Sequence, residues 1–389
     1  AQVRDWSLSD VIADPAPWKN APRHTSFAIG AALDALNRAG LPDDRIDPTR
    51  FGVYLGCGEA FEDFPSFIRT VADVGAADAV DTSKFLHTAL RVFDPDAEPL
   101  YEPNSPAGQL ASLLNAQGPN VNCIAACVSS AQAVGTAARM IRRGEVDVML
   151  AGGAHSTIHP FGLTGFQRLS TLSTRNDDPQ HAARPFDRDR DGFVIGEGGA
   201  AFVLESLDHA RARNAEIWAE LTVYVSVQVA YRITDTHPEG RGTVAAIRRA
   251  LDDARLNPEQ IDYVNAHGTA TQLNDRIETI AFKKALGDHA HKVPISSTKS
   301  MLGHATTACA AIELAVCILA LRSGVVPPTI NLDHPDPECD LDYVPHTARE
   351  VDCRHVLSDS IGFGGQNAAL VVSRFDEARR TASRPRHVA

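Results

Sequence analysis

Residues 122–130 read NCIAACVSS and place two cysteines, Cys123 and Cys127, at the end of a short apolar segment. The segment PNVNCIAA predicts a short buried strand, and SSAQAVGTAARMIRRG, which follows Cys127, has the apolar spacing of a helix. The free N–H groups and the dipole of a helix N-terminus favour a thiolate over a thiol. Cys127 is therefore the candidate nucleophile, whereas Cys123 is predicted to be an inert thiol inside the strand. The alternative is that both are small core residues, since free Cys is among the most buried residue types.

Strands and helices alternate on both sides of this junction. Before residue 210 the predicted strands are RFGVYLGCG, VDVMLAGGA and AAFVLES, and the helix HTSFAIGAALDALNRAG closes on Gly40. The rhythm then recurs with IDYVNAHG, DRIETIAFKKALG, VPISSTKS, TTACAAIELAVCILALRSG, VLSDSIGFGG and AALVVSRF. This recurrence predicts an α/β fold of two interlocked halves, residues 1–210 and 211–389, with mostly buried sheets. Residues 60–105 are predicted to be a surface excursion, and RTASRPRHVA a frayed tail.

The composition excludes several classes of function. The 389 residues are 44% hydrophobic and 22% charged, and the net charge of −12 argues against a general nucleic-acid-binding protein. Seven scattered cysteines do not form a disulfide framework, which favours a reducing, cytoplasmic location. The most apolar stretch, ACAAIELAVCILALRSG, contains Glu313 and is too short to cross a bilayer comfortably. We therefore predict a cytoplasmic protein that binds neither nucleic acid nor membrane.

Two histidines occupy junctions like that of Cys127. NAHGTAT puts His267 at the end of a strand, and STKSMLGHATT puts His304 at the start of the long helix. Each histidine alone is more often structural than catalytic. Together with a thiol at a third junction they indicate one site, because ligands collect at the carboxyl ends of strands in open α/β sheets.

The segment SDSIGFGGQN contains glycines at positions 362, 364 and 365, which let the backbone pass close to a reacting group. They also isolate Phe363 as a bulky side chain that can move. Backbone N–H groups in such a turn can hold an oxyanion. Taken alone, the motif is more simply a tight turn between two strands.

In order along the chain, these segments, with LSTRND, RPFDRDRDGFVIGEGGAAFVLE and PPTINLD, resemble the β-ketoacyl-acyl-carrier-protein synthases, the elongating condensing enzymes of thiolase fold. The resemblance runs from Ala1 to about Phe375. It implies a thiolase-like fold, in which two pseudo-duplicated halves form a layered αβαβα core. It also implies that Cys127 takes an acyl chain from the phosphopantetheine of an acyl carrier protein. His267 and His304 would support malonyl decarboxylation and the condensation, giving a β-ketoacyl-carrier protein.

The resemblance assigns supporting roles as well. Lys299 and Glu313 match a charged pair near the second histidine, and Phe363 matches a gate that admits malonyl after acylation. The backbone N–H groups of Phe363 and Cys127 would form the oxyanion hole. The residues implied in substrate binding, with two threonines that would hydrogen-bond the pantetheine arm, are Thr269, Thr271, Gly364 and Asn367. The resemblance implies no metal and no redox cofactor, and the spacing of the two cysteines does not predict a metal site.

The resemblance also implies partners. We expect a dimer in which residues 120–126 pair across a two-fold axis, either a homodimer or a heterodimer with a chain-length-factor-like subunit. Candidates for docking an acidic carrier protein are Arg139, Arg142 and Arg143 on the nucleophile helix, although a solvated charged face is the simpler interpretation of each. The alternative functions are a non-condensing acyltransferase and a non-catalytic chain-length partner or scaffold. The second is disfavoured because such subunits usually lose the cysteine.

The sequence departs from the family pattern in ways that bear on fold and substrate. The family's first strand and glycine turn are missing, so we expect about fifty residues before Ala1 to be absent, because a sheet cannot readily lose a central strand. TTACAA (residues 306–311) replaces a glycine-rich run, Gln366 a common Thr, and QVAYR around Tyr231 a fatty-acid-synthase pattern. These changes favour a type II polyketide or other secondary-metabolite pathway at least as well as fatty-acid synthesis.

Overall fold

The computed structural model of the chain describes residues 1–41, 46–58, 63–75 and 81–376. The predicted frayed tail lies outside these residues. The helices are α1 (Arg23–Ala39), α2 (Phe64–Val74), α3 (Thr82–Val92), α4 (Ser105–Leu114), α5 (Ser129–Arg142), α6 (Pro160–Arg168), α7 (Leu207–Ala212), α8 (Arg241–Ala254), α9 (Gln272–Leu286), α10 (Lys299–Leu302) and α11 (Cys309–Ser323). The strands are β1 (Phe51–Cys57), β2 (Asn120–Asn122), β3 (Val148–His155), β4 (Gly198–Glu205), β5 (Glu220–Gln228), β6 (Tyr263–Asn265), β7 (Ile295–Ser296), β8 (Val325–Val326), β9 (Arg349–Glu350), β10 (His355–Gly362) and β11 (Gln366–Ser373).

Two mixed sheets organise the described chain. The first has the order β2-β1-β3-β4, in which β4 runs antiparallel to β3 and the other pairs are parallel. The second has the order β5-β11-β10-β6-β7, in which β11 runs antiparallel to both of its neighbours. The strands β8 and β9 form a separate small pair. The first sheet comes entirely from the first half of the chain and the second from the second half, as the repeated rhythm predicts.

The helices form three layers around the two sheets. Helices α5 and α11 lie between the sheets and contact both, α1 and α4 cover the outer face of the first sheet, and α8 covers the outer face of the second. The side chains of β3 and of nearly all of β10 and β11 are buried, as in a sheet that is covered on both faces. The predicted layered αβαβα arrangement is therefore confirmed.

Helix α11 is apolar around its whole circumference, which is typical of a helix buried on all sides. With the preceding turn, Thr306–Ser323 is long and apolar enough by composition to cross a membrane, but 61% of it is buried inside the protein. This helix lies between the two sheets and packs against both of them.

The sequence pattern predicted several strands and helices incorrectly. PNVNCIAA forms a strand only at Asn120–Asn122, and this strand is partly exposed because β2 lies at the edge of its sheet. VPISSTKS contributes the two residues of β7, after which Lys299 begins a short helix. Strand β5 and helix α8 were not assigned from the sequence at all. The described part of the excursion at residues 60–105 contains the helices α2 and α3, and its residues 60–62 and 76–80 lie outside the described part.

The expectation that a central strand of the first sheet is missing is wrong. The four described strands are hydrogen-bonded to one another without a gap. In the second sheet the first strand, β5, pairs with the outer edge of the last strand, β11. The corresponding edge of the first sheet belongs to β4, and it faces an apolar groove of about 480 Å³ between α1 and α11. The place equivalent to β5 therefore lies at the edge of the sheet.

Candidate active site

Cys127 lies in a tight turn that leads directly into helix α5. Ala126 has a φ of 48°, a left-handed conformation that is uncommon for a residue with a side chain. The Ser129 hydroxyl fixes this turn, because it donates to the Ala126 carbonyl at 2.6 Å and accepts from the Ala125 N–H at 2.8 Å. The turn holds the thiol of Cys127 at the N-terminus of α5, nearly buried at 8% exposure. The predicted strand–turn–helix setting of the nucleophile is thus present, although Cys123 follows the strand and does not lie inside it.

The imidazole of His304 contacts this thiol. Its Nε2 atom lies 3.1 Å from the Cys127 Sγ. The backbone N–H of His304 donates to the Val194 carbonyl at 2.7 Å. The Phe193 ring packs edge-on against the imidazole, with ring centroids 5.1 Å apart. Burial, with the nearby charges of Lys299 and His155, holds the pKa of His304 well below its ordinary value. A neutral imidazole in this position can accept the proton of the thiol.

His267 completes a compact group with these two residues. Its ring lies perpendicular to that of His304 with centroids 5.3 Å apart. The Lys299 ammonium lies 3.3 Å from the His267 Nδ1 and donates to its carbonyl at 2.6 Å. An ammonium has only donors, so Nδ1 accepts and the proton of the neutral ring is assigned to Nε2. Burial, with Lys299 and His304, lowers the pKa of His267 well below its ordinary value, so the ring is a neutral donor.

The predicted pair of Lys299 and Glu313 is formed and buried, with side chains 4% and 2% exposed. Burial would lower the pKa of Lys299, but Glu313 and other nearby groups raise it above its ordinary value. Burial raises the pKa of Glu313 to about 7, against the opposing effect of Lys299. The ammonium therefore stays charged beside His267, and α10 is tied to α11 beneath the site.

A cavity of about 340 Å³ opens onto Cys127, His267 and His304. The predicted substrate-binding residues Thr269 and Thr271 line it, and their hydroxyls hydrogen-bond to each other at 3.0 Å. Its wall also contains groups that the sequence did not single out: Phe166, Leu169, Asp191, Phe193 and residues 234–236. A cavity with three reactive groups at its base and hydroxyls on its wall suits an extended polar arm that carries an acyl chain.

The glycine-rich turn lies beside the nucleophile. Phe363 lines the cavity, and a Cβ added to Gly362 would lie 3.5 Å from the Cys127 backbone nitrogen. Gly364 has a φ of 84° and its N–H donates to the Ile233 carbonyl, so this glycine is required by the turn. Asn367 accepts from the Thr243 hydroxyl at 2.9 Å and donates to the Gly365 carbonyl at 3.2 Å. Gly364 and Asn367 are not among the described residues that line the cavity, and their substrate contacts stay a prediction.

The arginines predicted to dock a carrier protein are largely engaged within the fold. Arg139 donates to the Tyr224 carbonyl at 3.1 Å and stacks on the Tyr224 ring. Arg142 donates to two carbonyls of β5, and burial lowers its pKa. Arg143 pairs with Glu145 on the surface. These contacts join α5 to β5, and the docking role stays a prediction.

Three further residues contact the site and were missed by sequence reasoning. The carboxylate of Glu278 accepts hydrogen bonds from the backbone N–H groups of His267 at 2.7 Å and of Gly268 at 2.8 Å. Glu278 therefore fixes the backbone of this turn. The Cys309 thiol donates to the Cys127 carbonyl at 3.3 Å. Asp359 is buried within the strand that precedes the glycine-rich turn. The only sequence signal was the polar character of these residues inside apolar segments such as DRIETIAF and VLSDSIG.

The thiol and the two imidazoles converge, with one ligand atom of each within 4.8 Å of the others. Such a set can hold a metal ion. In this site the 3.1 Å contact between thiol and imidazole also suits direct proton transfer, which needs no metal. The expectation of no cofactor stays a prediction.

Comparison with known proteins identifies the family. The beta-ketoacyl synthase N-terminal domain matches residues 17–210, and the beta-ketoacyl synthase C-terminal domain matches residues 218–333. The chain belongs to the β-ketoacyl synthase family. A putative polyketide beta-ketoacyl synthase 1 from Streptomyces halstedii is 44% identical over 357 residues, which cover 91% of this chain and 82% of the relative. A 3-oxoacyl-[acyl-carrier-protein] synthase 2 from Coxiella burnetii is 39% identical over 376 residues, 96% of this chain and 87% of the relative.

Solved structures agree with this assignment. A type II polyketide ketosynthase in complex with its acyl-carrier protein and bound to the hexaketide has a TM-score of 0.84 and 34% identity, over 93% of this chain and 87% of that chain. The ishigamide ketosynthase/chain length factor has a TM-score of 0.84 and 31% identity, over 96% and 87%. This β-ketoacyl synthase therefore has the predicted thiolase-like fold and is a condensing acyltransferase. The boundary at residue 210 stays a prediction.

Proposed function

We propose that this β-ketoacyl synthase catalyses decarboxylative Claisen condensation between an acyl chain held on Cys127 and malonyl-carrier protein. The observation that carries the proposal is the placement of Cys127, His304 and His267 at the base of one cavity, with the thiol 3.1 Å from the His304 imidazole. The family relatives act in polyketide synthesis and as 3-oxoacyl-[acyl-carrier-protein] synthases. Their names support a type II polyketide or fatty-acid pathway, and we place the protein in the cytoplasm.

In the first step, the Cys127 sulfur attacks the thioester of the incoming acyl group. The neutral His304 accepts the thiol proton and returns it to the departing pantetheine thiol, so the acyl group is exchanged between two sulfurs. The tetrahedral oxyanion is held by the backbone N–H groups of Cys127 and Phe363. Removing one donor of an oxyanion hole typically costs about 2.7–4 kcal/mol of barrier.

In the second step, the malonyl group loses CO₂ and its carbon–carbon bonding electrons become an enolate. The Nε2 proton of His267 faces the cavity, because Lys299 occupies the Nδ1 side of the ring. This proton stabilises the enolate oxygen, and so does that of His304 in the tautomer that carries its proton on Nε2, the nitrogen that faces Cys127. The enolate carbon then attacks the acyl-Cys127 carbonyl, and the Cys127 thiolate leaves. The product is a β-ketoacyl-carrier protein.

The partners of this reaction are an acyl carrier protein and a second ketosynthase-like subunit. The relatives of known structure include a ketosynthase in complex with its acyl-carrier protein and a ketosynthase paired with a chain length factor. The partly exposed edge strand β2 of this chain offers a surface for such a subunit. We propose that the phosphopantetheine of the carrier protein is the only prosthetic group required, with no metal or redox cofactor.

Intact mass spectrometry tests the proposed function. The protein is mixed first with acyl-carrier protein and then with malonyl-carrier protein. We expect an acyl adduct on Cys127 that is discharged as a lengthened β-ketoacyl-carrier protein. Cys127→Ala should show no adduct, while the matched variant Cys123→Ala should be loaded normally. An adduct that persists after malonyl-carrier protein is added would favour a non-condensing acyltransferase, and no adduct in the wild type would favour a scaffold role.

A further inference from the structure

Asp359 is a buried acidic residue near the site, and the proposed reaction gives it no role. It lies on β10, where Ser358 pairs with Asn265 of β6, so Asp359 is next to the segment that continues from β6 into His267. It is 1% exposed. Neither of its carboxylate oxygens has a hydrogen bond of ordinary geometry with a described residue. A buried carboxyl without donors is costly in its charged form.

The neighbours of Asp359 make ionisation still less favourable. Helix α9 contributes the carboxyls of Glu278 and Asp275. Helix α11 contributes the carboxyl of Glu313 and the thiols of Cys309 and Cys317. Among the described residues, the ammonium near these groups is that of Lys299. Lys299 is bound to Glu313, and Asp275 lies 3.7 Å from the Arg190 guanidinium. Glu278 and Asp359 are therefore two adjacent carboxyls, and neither forms an ion pair with a described residue. Two carboxyls in such a site retain a shared proton.

The hydrogen bonds decide which carboxyl carries that proton. Glu278 accepts from the backbone N–H groups of His267 and Gly268 and from the side-chain amide of Asn274 at 2.9 Å. Three N–H donors favour a carboxylate. Asp359 has no donor of ordinary geometry among the described residues, and its interaction with the His267 backbone N–H lowers its pKa less than burial raises it. The proton is therefore assigned to Asp359, from which it can be donated to Glu278.

We propose that Asp359 is a positioning residue that acts on His267 through Glu278: it holds a shared proton in the active state, and loss of this proton slows malonyl decarboxylation. The proposal rests on the proposed function. Decarboxylation creates a negative enolate beside His267, and a second buried negative charge behind the same histidine opposes it. Like charges several ångströms apart in a protein interior repel enough to slow the step on the order of tenfold.

The ionisation falls within an accessible range of pH. Burial, with the negative charge of Glu313, raises the pKa of Asp359 to about 7. Burial and the charges of Asp359 and Asp275 also raise the pKa of Glu278, against the opposing effect of the Gly268 backbone N–H, so the two carboxyls titrate as a pair. The neutral form of Asp359 therefore dominates below this pH, and the decarboxylation rate should fall as the pH rises through it.

Asp359→Asn tests this proposal, because an amide can donate to Glu278 at every pH and cannot ionise. We would measure the release of CO₂ from malonyl-carrier protein without an acyl primer between about pH 6 and pH 8.5, a range that brackets an Asp pKa raised by burial. The wild type should lose activity on the order of tenfold across this range. The Asp359→Asn variant should stay nearly flat and exceed the wild type at the alkaline end. Asp262→Asn, which replaces the carboxylate before β6 that accepts from the His355 backbone N–H at the start of β10, should keep the wild-type profile.

Infrared difference spectroscopy gives a second reading that does not depend on activity. At about pH 6 the wild type should show more protonated-carboxyl C=O absorption than Asp359→Asn, because Glu313 and Glu278 contribute in both proteins. The band that distinguishes the two proteins should be lost on raising the pH. A pH profile of Asp359→Asn that matches the wild type, or a spectrum without this band, would overturn the proposal. A wild type that releases no CO₂ would contradict the proposed function, and the infrared band would still decide the protonation of Asp359.

Discussion

At the scale of single residues, the site combines neutral imidazoles with a permanently charged ammonium. Burial keeps His267 and His304 uncharged, and Lys299 directs the proton of His267 toward the cavity. A neutral imidazole can accept the thiol proton and can donate to an enolate, whereas an imidazolium can only donate. The same two residues can therefore serve both steps of the proposed reaction.

The role of His304 can be measured directly. His304→Ala removes one donor to the enolate and the partner of Cys127, so we expect malonyl decarboxylation to fall by about 10²–10³-fold. The control is His181→Ala, which changes an exposed histidine paired with Asp178. Decarboxylation at the normal rate in His304→Ala would contradict the assignment.

The buried pair of Lys299 and Glu313 should matter for stability as well as for catalysis. Glu313→Gln leaves the Lys299 ammonium buried without its partner, and breaking a buried ion pair in this way costs about 3–5 kcal/mol. The exposed pair of Arg38 and Asp34, at 2.7 Å, gives the comparison, because Asp34→Asn should cost less than about 1 kcal/mol. Urea unfolding of both variants measures the difference. Equal losses of unfolding free energy in the two variants would mean that the buried pair stabilises the protein no more than the exposed pair does.

At the scale of elements, α5 determines how closely the two halves approach. Gly135 of α5 faces the ring of Tyr224 on β5, and a Cβ at this position would lie 2.0 Å from the ring. Arg139 and Arg142 of the same helix donate to carbonyls of β5. A helix that carries the nucleophile is thus fitted to a strand of the other sheet at a position where only glycine fits.

Gly135→Ala should therefore destabilise the protein by about 1–3 kcal/mol or more, since the ring and the backbone must both move. Gly108→Ala in α4 is the matched control, because no atom lies within 4 Å of its added Cβ. In a helix interior that exchange should stabilise by about 0.5–1 kcal/mol. Thermal unfolding of both variants should show changes of opposite sign, and a stabilised Gly135→Ala would show that the two halves do not pack at this distance.

At the scale of the whole molecule, the edge strand β2 and the residues after it form the expected interface with a second subunit. Ile124 follows β2 directly and is 49% exposed, so it is available for an apolar contact with a second subunit. Ile124→Asp should shift a dimer to monomers in sedimentation velocity experiments. Val325→Asp, at an exposed apolar position on β8, should leave the assembly unchanged. A dimer that survives Ile124→Asp would place the interface elsewhere.

The sequence by itself determined the class of fold and singled out Cys127, His267 and His304, which the structure brings together at one cavity, while their catalytic roles stay predictions. Each of these depends on local order: a strand followed by a turn and a helix, with a reactive residue at the turn. Hydrophobic periodicity and glycine placement are local properties, so they can be read from one segment at a time. The same approach placed β2 and β7 but made both too long, because strands of three and two residues contain too little periodicity to define where they end.

The tertiary structure alone decided which distant groups touch. Glu278 lies on α9, Cys309 on α11 and Asp359 on β10, and none of their segments has a pattern that predicts a contact with His267 or Cys127. The order of strands in the sheets could not be predicted from the sequence either. The sequence placed the missing strand in the centre of the first sheet, whereas the equivalent place is an open edge beside β4. Charge sharing, burial and strand order depend on which elements pack side by side, and packing joins residues that are far apart in the sequence. The sequence therefore specified the groups that meet at the cavity, and only the packing of the two halves specified the environment that sets their protonation.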